Sequence, residues 1–161
     1  KAVRFEEPSL LPVGRLIEKC LTKKVSREKE TFALLFAADR IEDTVRNIKP
    51  KLEGGYVVVC DRYVLSSLAY QTAMGLNLAW VKELNRHAIS PDLVLFLDIN
   101  PEKSLKRIRE KELFDKLEFQ KKVRARYLNL IGEYKHRIID GSKPKEKVHE
   151  EVLNAITGII D

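Results

Sequence analysis

The sequence predicts an α/β fold: a parallel sheet covered by helices on both faces. Two observations predict it. Strand-like runs alternate along the chain with stretches of helical apolar spacing, and two of those runs are almost wholly apolar. Strands of that composition belong inside a parallel sheet, where neither face meets water. The chain has 161 residues, 44% hydrophobic and 34% charged, which suits one folded domain with a core of its own.

The elements follow in order. Residues 2–6 (Ala-Val-Arg-Phe-Glu) form a short strand that ends at Glu7-Pro8. Val13, Leu16, Ile17, Cys20 and Leu21 recur at helical spacing and predict a helix over about 11–23. Ser26 is a candidate N-cap for a longer helix. Its apolar face runs Phe32, Leu35, Phe36, Ile41, Val45, Ile48 and Leu52, and Gly54-Gly55 stops it.

Tyr56-Val57-Val58-Val59-Cys60 is the first buried strand, with Asp61-Arg62-Tyr63 at its C-terminal end. Helices are expected over 64–74 and, after the capping Asn77, over 78–88. Leu93 to Leu97 is the second buried strand and runs into Asp98; Asn100-Pro101 caps and starts the next helix. A densely charged segment covers 107–118. A long helix carrying Leu117, Val123, Tyr127, Leu130, Ile131 and Tyr134 follows, then a short strand at 137–140. A last helix from Pro144 turns Val148, Val152, Ile156 and Ile159 inward. The chain contains no repeat, low-complexity tract or linker, so one domain over 1–161 is expected.

Composition narrows function. The net charge of +6 suits an anionic partner, nucleotide or nucleic acid. No stretch approaches the ~20 apolar residues of a membrane span. The three histidines stand far apart with no metal-ligand spacing, and the two cysteines form no framework, which points to a reducing cytoplasm. Scarce glutamine with plentiful Lys, Glu and Ile leans toward a thermophilic source.

In such sheets ligands sit beyond the C-terminal strand ends. That rule selects Glu7-Pro8, Asp61-Arg62 and the stretch from Asp98 onward. An arginine directly after a buried strand can clamp a phosphate with two parallel hydrogen bonds, and the neighbouring carboxylate can hold Mg²⁺ or its waters. Read alone, the pair is equally an ion pair closing the strand. Phe36 and Arg40, four apart, share a helix face and could sandwich a base and bond its edge, although Phe36 also continues the apolar stripe.

Leu-Leu-Phe-Ala-Ala-Asp-Arg (34–40), followed by Asp-Arg-Tyr-Val-Leu-Ser-Ser-Leu-Ala-Tyr-Gln (61–71), resembles the thymidylate kinase signature. Pro91-Asp92-Leu93 with Leu97-Asp98, Leu105-Lys106-Arg107 and Asp140-Gly141-Ser142 extend the resemblance over essentially the whole chain. It implies a nucleoside monophosphate kinase-like fold and Mg²⁺-dependent phosphoryl transfer from ATP to dTMP, in a cytoplasmic homodimer paired through helices about 11–23, 27–52 and 64–74. It also implies site roles. Phe36 would stack on thymine, Arg40 read its O4 edge and Arg62 clamp the acceptor phosphate. Ser67 and Gln71 would face the N3 side, Tyr70 crowd the sugar 2′ position, and Asp61 stand near Mg²⁺. Glu7 and Pro8 would line the acceptor site. The segment at 107–118 resembles a lid, with Arg107, Arg109, Lys111 and Lys116 supplying positive charge and Arg107 lying against adenine; Ser142 and Lys143 would line the adenine-side loop. Tyr70 can equally be plain packing, and the charged segment a solvated loop.

Two departures stand out. No Gly-x-x-x-x-Gly-Lys-Ser/Thr occurs in the sequence, although that loop cradles the donor phosphates in P-loop kinases. The expectation is therefore a native extension of roughly thirty residues before Lys1, one βα unit, without which these residues are not a competent kinase. Glu6 also stands where many members carry arginine before Glu-Pro, and Arg4 is too early to replace it by simple register. The rival reading is a kinase-derived protein that only binds nucleotide or nucleic acid; the basic balance permits it, but no basic groove interleaved with aromatics supports it. Another acceptor, such as dUMP, also remains open.

Overall fold

The computed structural model describes residues 1–22, 25, 27–106, 114 and 116–160, the last three by backbone alone. Four short strands and eight helices alternate along it. β1 (Ala2–Glu6) pairs in parallel with β2 (Val57–Asp61), Ala2 opposite Val57 and Glu6 opposite Asp61. β3 (Val94–Asp98) pairs in parallel with β4 (His136–Asp140), Val94 opposite His136 and Asp98 opposite Asp140. The α/β class and the parallel pairing are as predicted. The strands, however, form two separate pairs rather than one sheet.

That separation changes the burial of the two apolar strands. Both read as buried on two faces, yet Val59 is 53% and Leu97 47% exposed. In β1 and β2 exposure alternates: Arg4, Glu6, Val59 and Asp61 lie open while Val3, Phe5, Val58 and Cys60 are half-buried. A strand presents alternate residues to opposite faces, and only one face of this pair is covered.

The helices account for that covered side. α1 (Pro12–Leu21) begins at a proline in its preferred first position. It packs Ile17 and Cys20 against Phe32 of α2 (Lys29–Asp43). Ser26 lies outside the described residues; the N-cap of α2 is Glu28. α2 continues through a π turn at Thr44–Ile48 into α3 (Lys49–Glu53), and Gly55 ends the run at φ 73°. Of the predicted apolar face, Phe32 and Ile48 are buried, but Ile41, Val45 and Leu52 are exposed and share their side with Leu34. The π turn inserts an extra residue and shifts the phase of the stripe.

α4 (Val64–Ala73) and α5 (Leu78–Leu84) follow β2. Asn77 caps α5 by accepting from Trp80 N at 3.1 Å, as predicted, but the helix ends at Leu84 instead of continuing to 88. α6 (Pro101–Leu105) is capped by Asn100. α7 (Leu117–Leu130) passes through a 3-10 turn at Ile131–Glu133 into β4, and α8 (Lys145–Ile160) closes the chain. Val148, Val152 and Ile156 are half-buried, and the side chain of Ile159 lies outside those described. The main core joins Leu65 and Leu68 of α4, Val81 of α5, and Leu130 with Ile131, with Val94 and Phe96 of β3 packed against them. No described helix is long and apolar enough to cross a membrane.

Candidate active site

Glu7 leaves β1 and prolongs its ladder by one bond, Glu7 N donating to Asp61 O at 3.1 Å. The next peptide, Glu7–Pro8, is cis. The Glu7 carboxylate then turns inward to Arg40 of α2. Arg40 Nε donates to Glu7 Oε1 at 2.9 Å, and Nη2 bonds Oε2. Nη2 also donates to Ser67 Oγ at 2.8 Å, and Nη1 bonds Asn85 Oδ1. The guanidinium carbon lies 5.3 Å from the Tyr63 ring centroid. A charge taken this far out of water must be paired and fully bonded, and these partners meet that demand. Burial pushes the Glu7 carboxyl above its ordinary range, Arg40 pulls it back, and Asp39 and Asp43 add to the rise.

Asp39, beside Arg40, grips the other side of Pro8. Its Oδ2 accepts from Ser9 N at 2.8 Å and its Oδ1 from Ser9 Oγ at 2.6 Å. Gly14 of α1 sits directly under this turn: a Cβ there would stand 2.0 Å from Ser9 O. Adjacent acid and base on α2 thus fix both flanks of Glu7-Pro8-Ser9, with α1 pressed against its back.

Arg62 lies one residue beyond β2. Its φ of 65° is the left-handed conformation that a non-glycine residue seldom adopts. That kink ends the strand, lets α4 begin two residues later, and lays the guanidinium over Tyr70, 5.4 Å from the ring centroid. Strain of this kind persists where surrounding structure enforces it, often at functional sites. Asp61 is exposed and accepts from Arg4 Nη2 at 2.7 Å, while the same nitrogen donates to Glu6 Oε2 at 3.1 Å. Simple register leaves Arg4 two residues short of the strand end. The structure corrects that reading, because the long side chain spans the distance along the open face.

α4 lines the space between these groups. Ser67 and Gln71, four apart on one face, are both buried, and Gln71 Oε1 is a buried acceptor with no partner. Tyr70 is half-buried in an aromatic chain. Its ring meets Phe114 edge-on at 5.6 Å; Phe114 meets Phe32 at 5.7 Å, and Phe32 meets Phe36 at 5.1 Å. Tyr127, with its hydroxyl on Ser66 Oγ at 2.6 Å, closes the other side of Tyr70; burial pushes that phenol up to about 12. Through Ser67 and these rings Phe36, Arg40 and Arg62 belong to one neighbourhood. Neither of two cavities, about 200 and 280 Å³, is lined by any of the three.

At the end of the other strand pair, Arg124 of α7 holds Asp98 with two bonds of 2.6 Å. Asp140 accepts from Ser142 N at 2.9 Å, and bonding from Ser142 holds its carboxyl below the usual range. Lys143 pairs with Glu151 at 2.6 Å, and Lys116 is the exposed N-cap of α7.

A family profile described as Thymidylate kinase matches residues 1–152. The chain belongs to the thymidylate kinase family. It is 44% identical over 154 residues to the "Probable thymidylate kinase" of Methanocaldococcus jannaschii, covering 95% of this chain and 81% of that one. To the protein of the same description from Thermococcus kodakarensis it is 41% identical over 175 residues, covering 99% and 84%. Among solved structures, thymidylate kinase from Candida albicans superposes with a TM-score of 0.85 at 28% identity, over 98% of this chain and 80% of that one.

Within this thymidylate kinase fold the residues read from sequence fall into three groups. Glu7, Pro8, Arg40, Ser67 and Gln71 gather around the buried network, while Asp61, Arg62 and Tyr70 gather at the end of β2. Lys116, Ser142 and Lys143 are exposed near the second strand pair. Arg107, Arg109 and Lys111 lie outside the described residues. Sequence reading missed Asn85, Asp39, Ser9 and Arg124. Asp39 carried a signal, as the acid beside Arg40 in the 34–40 motif. Asn85 carried none, because helical spacing appears to run straight past it.

A magnesium ion carried with ATP fits the donors present. Mg²⁺ keeps most of its waters and takes one or two carboxylates beside phosphate oxygens. Asp61 offers one exposed carboxylate at the strand end, and Arg4 bonds one of its oxygens. No group of three or more metal-binding side chains occurs among the described residues, so the site suits a shared ion rather than a protein-caged one.

Proposed function

We propose that this protein transfers the terminal phosphoryl group of ATP to dTMP, giving dTDP for dTTP supply. The observation that carries the reading is Arg62, held at φ 65° after β2 with its guanidinium over Tyr70, in a chain of the thymidylate kinase family. Arg62 would receive the acceptor phosphate, Tyr70 would lie against the deoxyribose, and Phe36 would face the thymine ring. Arg40 and Ser67 would meet its O4 edge, and the unpartnered Gln71 Oε1 is suited to accept from N3–H.

Phosphoryl transfer depends on positioning and on stabilising spread negative charge. The acceptor phosphate has a second pKa near ~6 and is already largely dianionic at neutral pH, so no general base is needed. Arg62 binds and orients it. Asp61 would hold the Mg²⁺ of ATP, whose chemistry is to neutralise charge on the donor phosphates. Arg107, Arg109, Lys111 and Lys116 would add positive charge from the lid, and Ser142 and Lys143 would border adenine. Closing the lid would exclude water and limit ATP hydrolysis.

Two further features belong to this reading. β2 and β3 are each hydrogen-bonded along one edge only, and their Val59 and Leu97 are about half exposed. Unpaired edges and bare apolar faces are unfavourable, which supports a fifth parallel strand between the pairs, bearing the phosphate-cradling loop. The exposed stripe Leu34, Ile41, Val45 and Leu52 supports a cytoplasmic homodimer; light scattering on the wild type and Val45→Glu should show dimer and monomer respectively.

The test of the reaction is a coupled ADP-release assay with dTMP, dUMP and TMP in parallel. ADP release with dTMP well above the other two is expected. Turnover independent of any added monophosphate would refute the assignment.

A further inference from the structure

The geometry points to Asn85 as a positioning residue for base recognition: it aims the one uncommitted N–H of Arg40 and so contributes to choosing a 4-keto over a 4-amino pyrimidine. The inference rests on the acceptor-site reading above.

A guanidinium carries five N–H donors in a fixed plane. In Arg40 four of them are engaged: Nε and one Nη2 hydrogen by Glu7, the other Nη2 hydrogen by Ser67, and one Nη1 hydrogen by Asn85. Subtracting four from five leaves a single hydrogen, on Nη1. Because the group is planar, the bond from Nη1 to Asn85 Oδ1 sets the direction of that remaining hydrogen.

Asn85 is itself held. It is the first residue after α5 and is 8% exposed. Its Nδ2 donates back to Val81 O at 2.8 Å. That bond uses the donor side of the amide and leaves Oδ1 turned to Arg40. The free end of a helix carbonyl ladder thus fixes an amide, the amide fixes an arginine, and the arginine presents one donor.

A lone donor discriminates between base edges. It bonds a carbonyl at the pyrimidine 4-position, as in thymine, and opposes an amino group there, as in cytosine. Without Asn85, Nη1 has two unpaired hydrogens beside the cavity of about 200 Å³ that Asn85 lines with Leu68 and Tyr134. Water can enter there, and the guanidinium loses its in-plane restraint.

The experiment measures dTMP and dCMP binding by calorimetry, with KM and kcat for dTMP alongside, in wild type, Asn85→Leu and Asn85→Asp. Asn85→Leu removes both side-chain bonds. Asn85→Asp keeps an acceptor for Arg40 and loses only the bond to Val81 O. A bond to a charged donor is worth enough to predict an about tenfold loss of dTMP affinity in Asn85→Leu, read in KM more than in kcat. The dCMP affinity should stay within about twofold. Asn85→Asp should retain the preference for dTMP. Should Asn85→Leu lose its folding transition, Asn85→Ala, which only widens the existing cavity, carries the same expectation. An unchanged dTMP-to-dCMP ratio in Asn85→Leu or Asn85→Ala overturns the inference. So does an Asn85→Asp protein as impaired as Asn85→Leu, because the Val81 bond would then be what matters. A wild type with no preference for dTMP over dCMP sinks the acceptor-site reading itself.

Discussion

Arg40 and Glu7 form a two-pronged ion pair at 1% and 4% exposure, joining the middle of a helix to the residue after a strand. The pair ties the turn at Pro8 to α2, and Ser67 and Asn85 extend it to α4 and the end of α5.

Removing one partner of such a pair strands the other charge in the interior. Arg40→Met should destabilise the protein by about 3–5 kcal/mol, measured by urea unfolding. Adding Glu7→Gln to Arg40→Met should recover part of that loss. A change below about 1 kcal/mol in the single variant would mean that the pair is not held as described.

Arg62 separates strain from chemistry. Both Arg62→Ala and Arg62→Gly remove the guanidinium, and turnover with dTMP should fall about a hundredfold or more in each. Glycine accepts φ 65° without strain, so Arg62→Gly should be more stable than Arg62→Ala by about 1 kcal/mol. Equal stability would show that the backbone there is not left-handed.

Gly14 is needed for close approach. A Cβ on it would lie 2.7 Å from both Ser9 N and Ser9 C, besides the contact with Ser9 O, and backbone cannot yield as a side-chain tip can. Gly14→Ala should cost about 1–3 kcal/mol and weaken dTMP binding, since Ser9 and Glu7 flank the same proline. Gly132→Ala, where nothing lies within 4 Å, is the control and should stay within about 0.5 kcal/mol of wild type.

Asp43 gives a pH signature. Burial pushes its carboxyl above the ordinary 3.8, with the Asn47 bond opposing and Asp39 adding to the rise. A carboxyl whose folded value exceeds its unfolded one binds more protons when folded, so its contribution to stability falls as pH rises through the window just above 3.8. Asp43→Asn removes that dependence. Relative to wild type, the variant should gain stability between about pH 4 and 7, followed by thermal unfolding. A difference that does not vary with pH would contradict the shift.

Much of the fold was legible because strands and helices carry their own periodicity. Val57–Cys60, Leu95–Leu97 and the capping Asn77 and Asn100 all fall where the letters place them. What escaped was relational. Nothing local announces the π turn at Thr44–Ile48, which rotates Ile41 and Val45 outward. Apolar strands read as doubly buried whether or not a neighbour covers them, so Val59 and Leu97 were misplaced. The bond from Arg4 to Asp61 depends on parallel register together with side-chain reach, and neither is a property of one segment. Asn85 acquires its role only because α5 stops one residue earlier, where the apolar spacing does not.

A crystal structure with dTMP bound tests the central claim most directly: one thymidine monophosphate held jointly by Phe36, Arg40 and Arg62. The expected density puts phosphate oxygens within about 3.2 Å of the Arg62 guanidinium and O4 within the same range of Arg40 Nη1, with the thymine ring against Phe36. Density for dTMP with its phosphate away from Arg62, or its base away from Phe36 and Arg40, would contradict it.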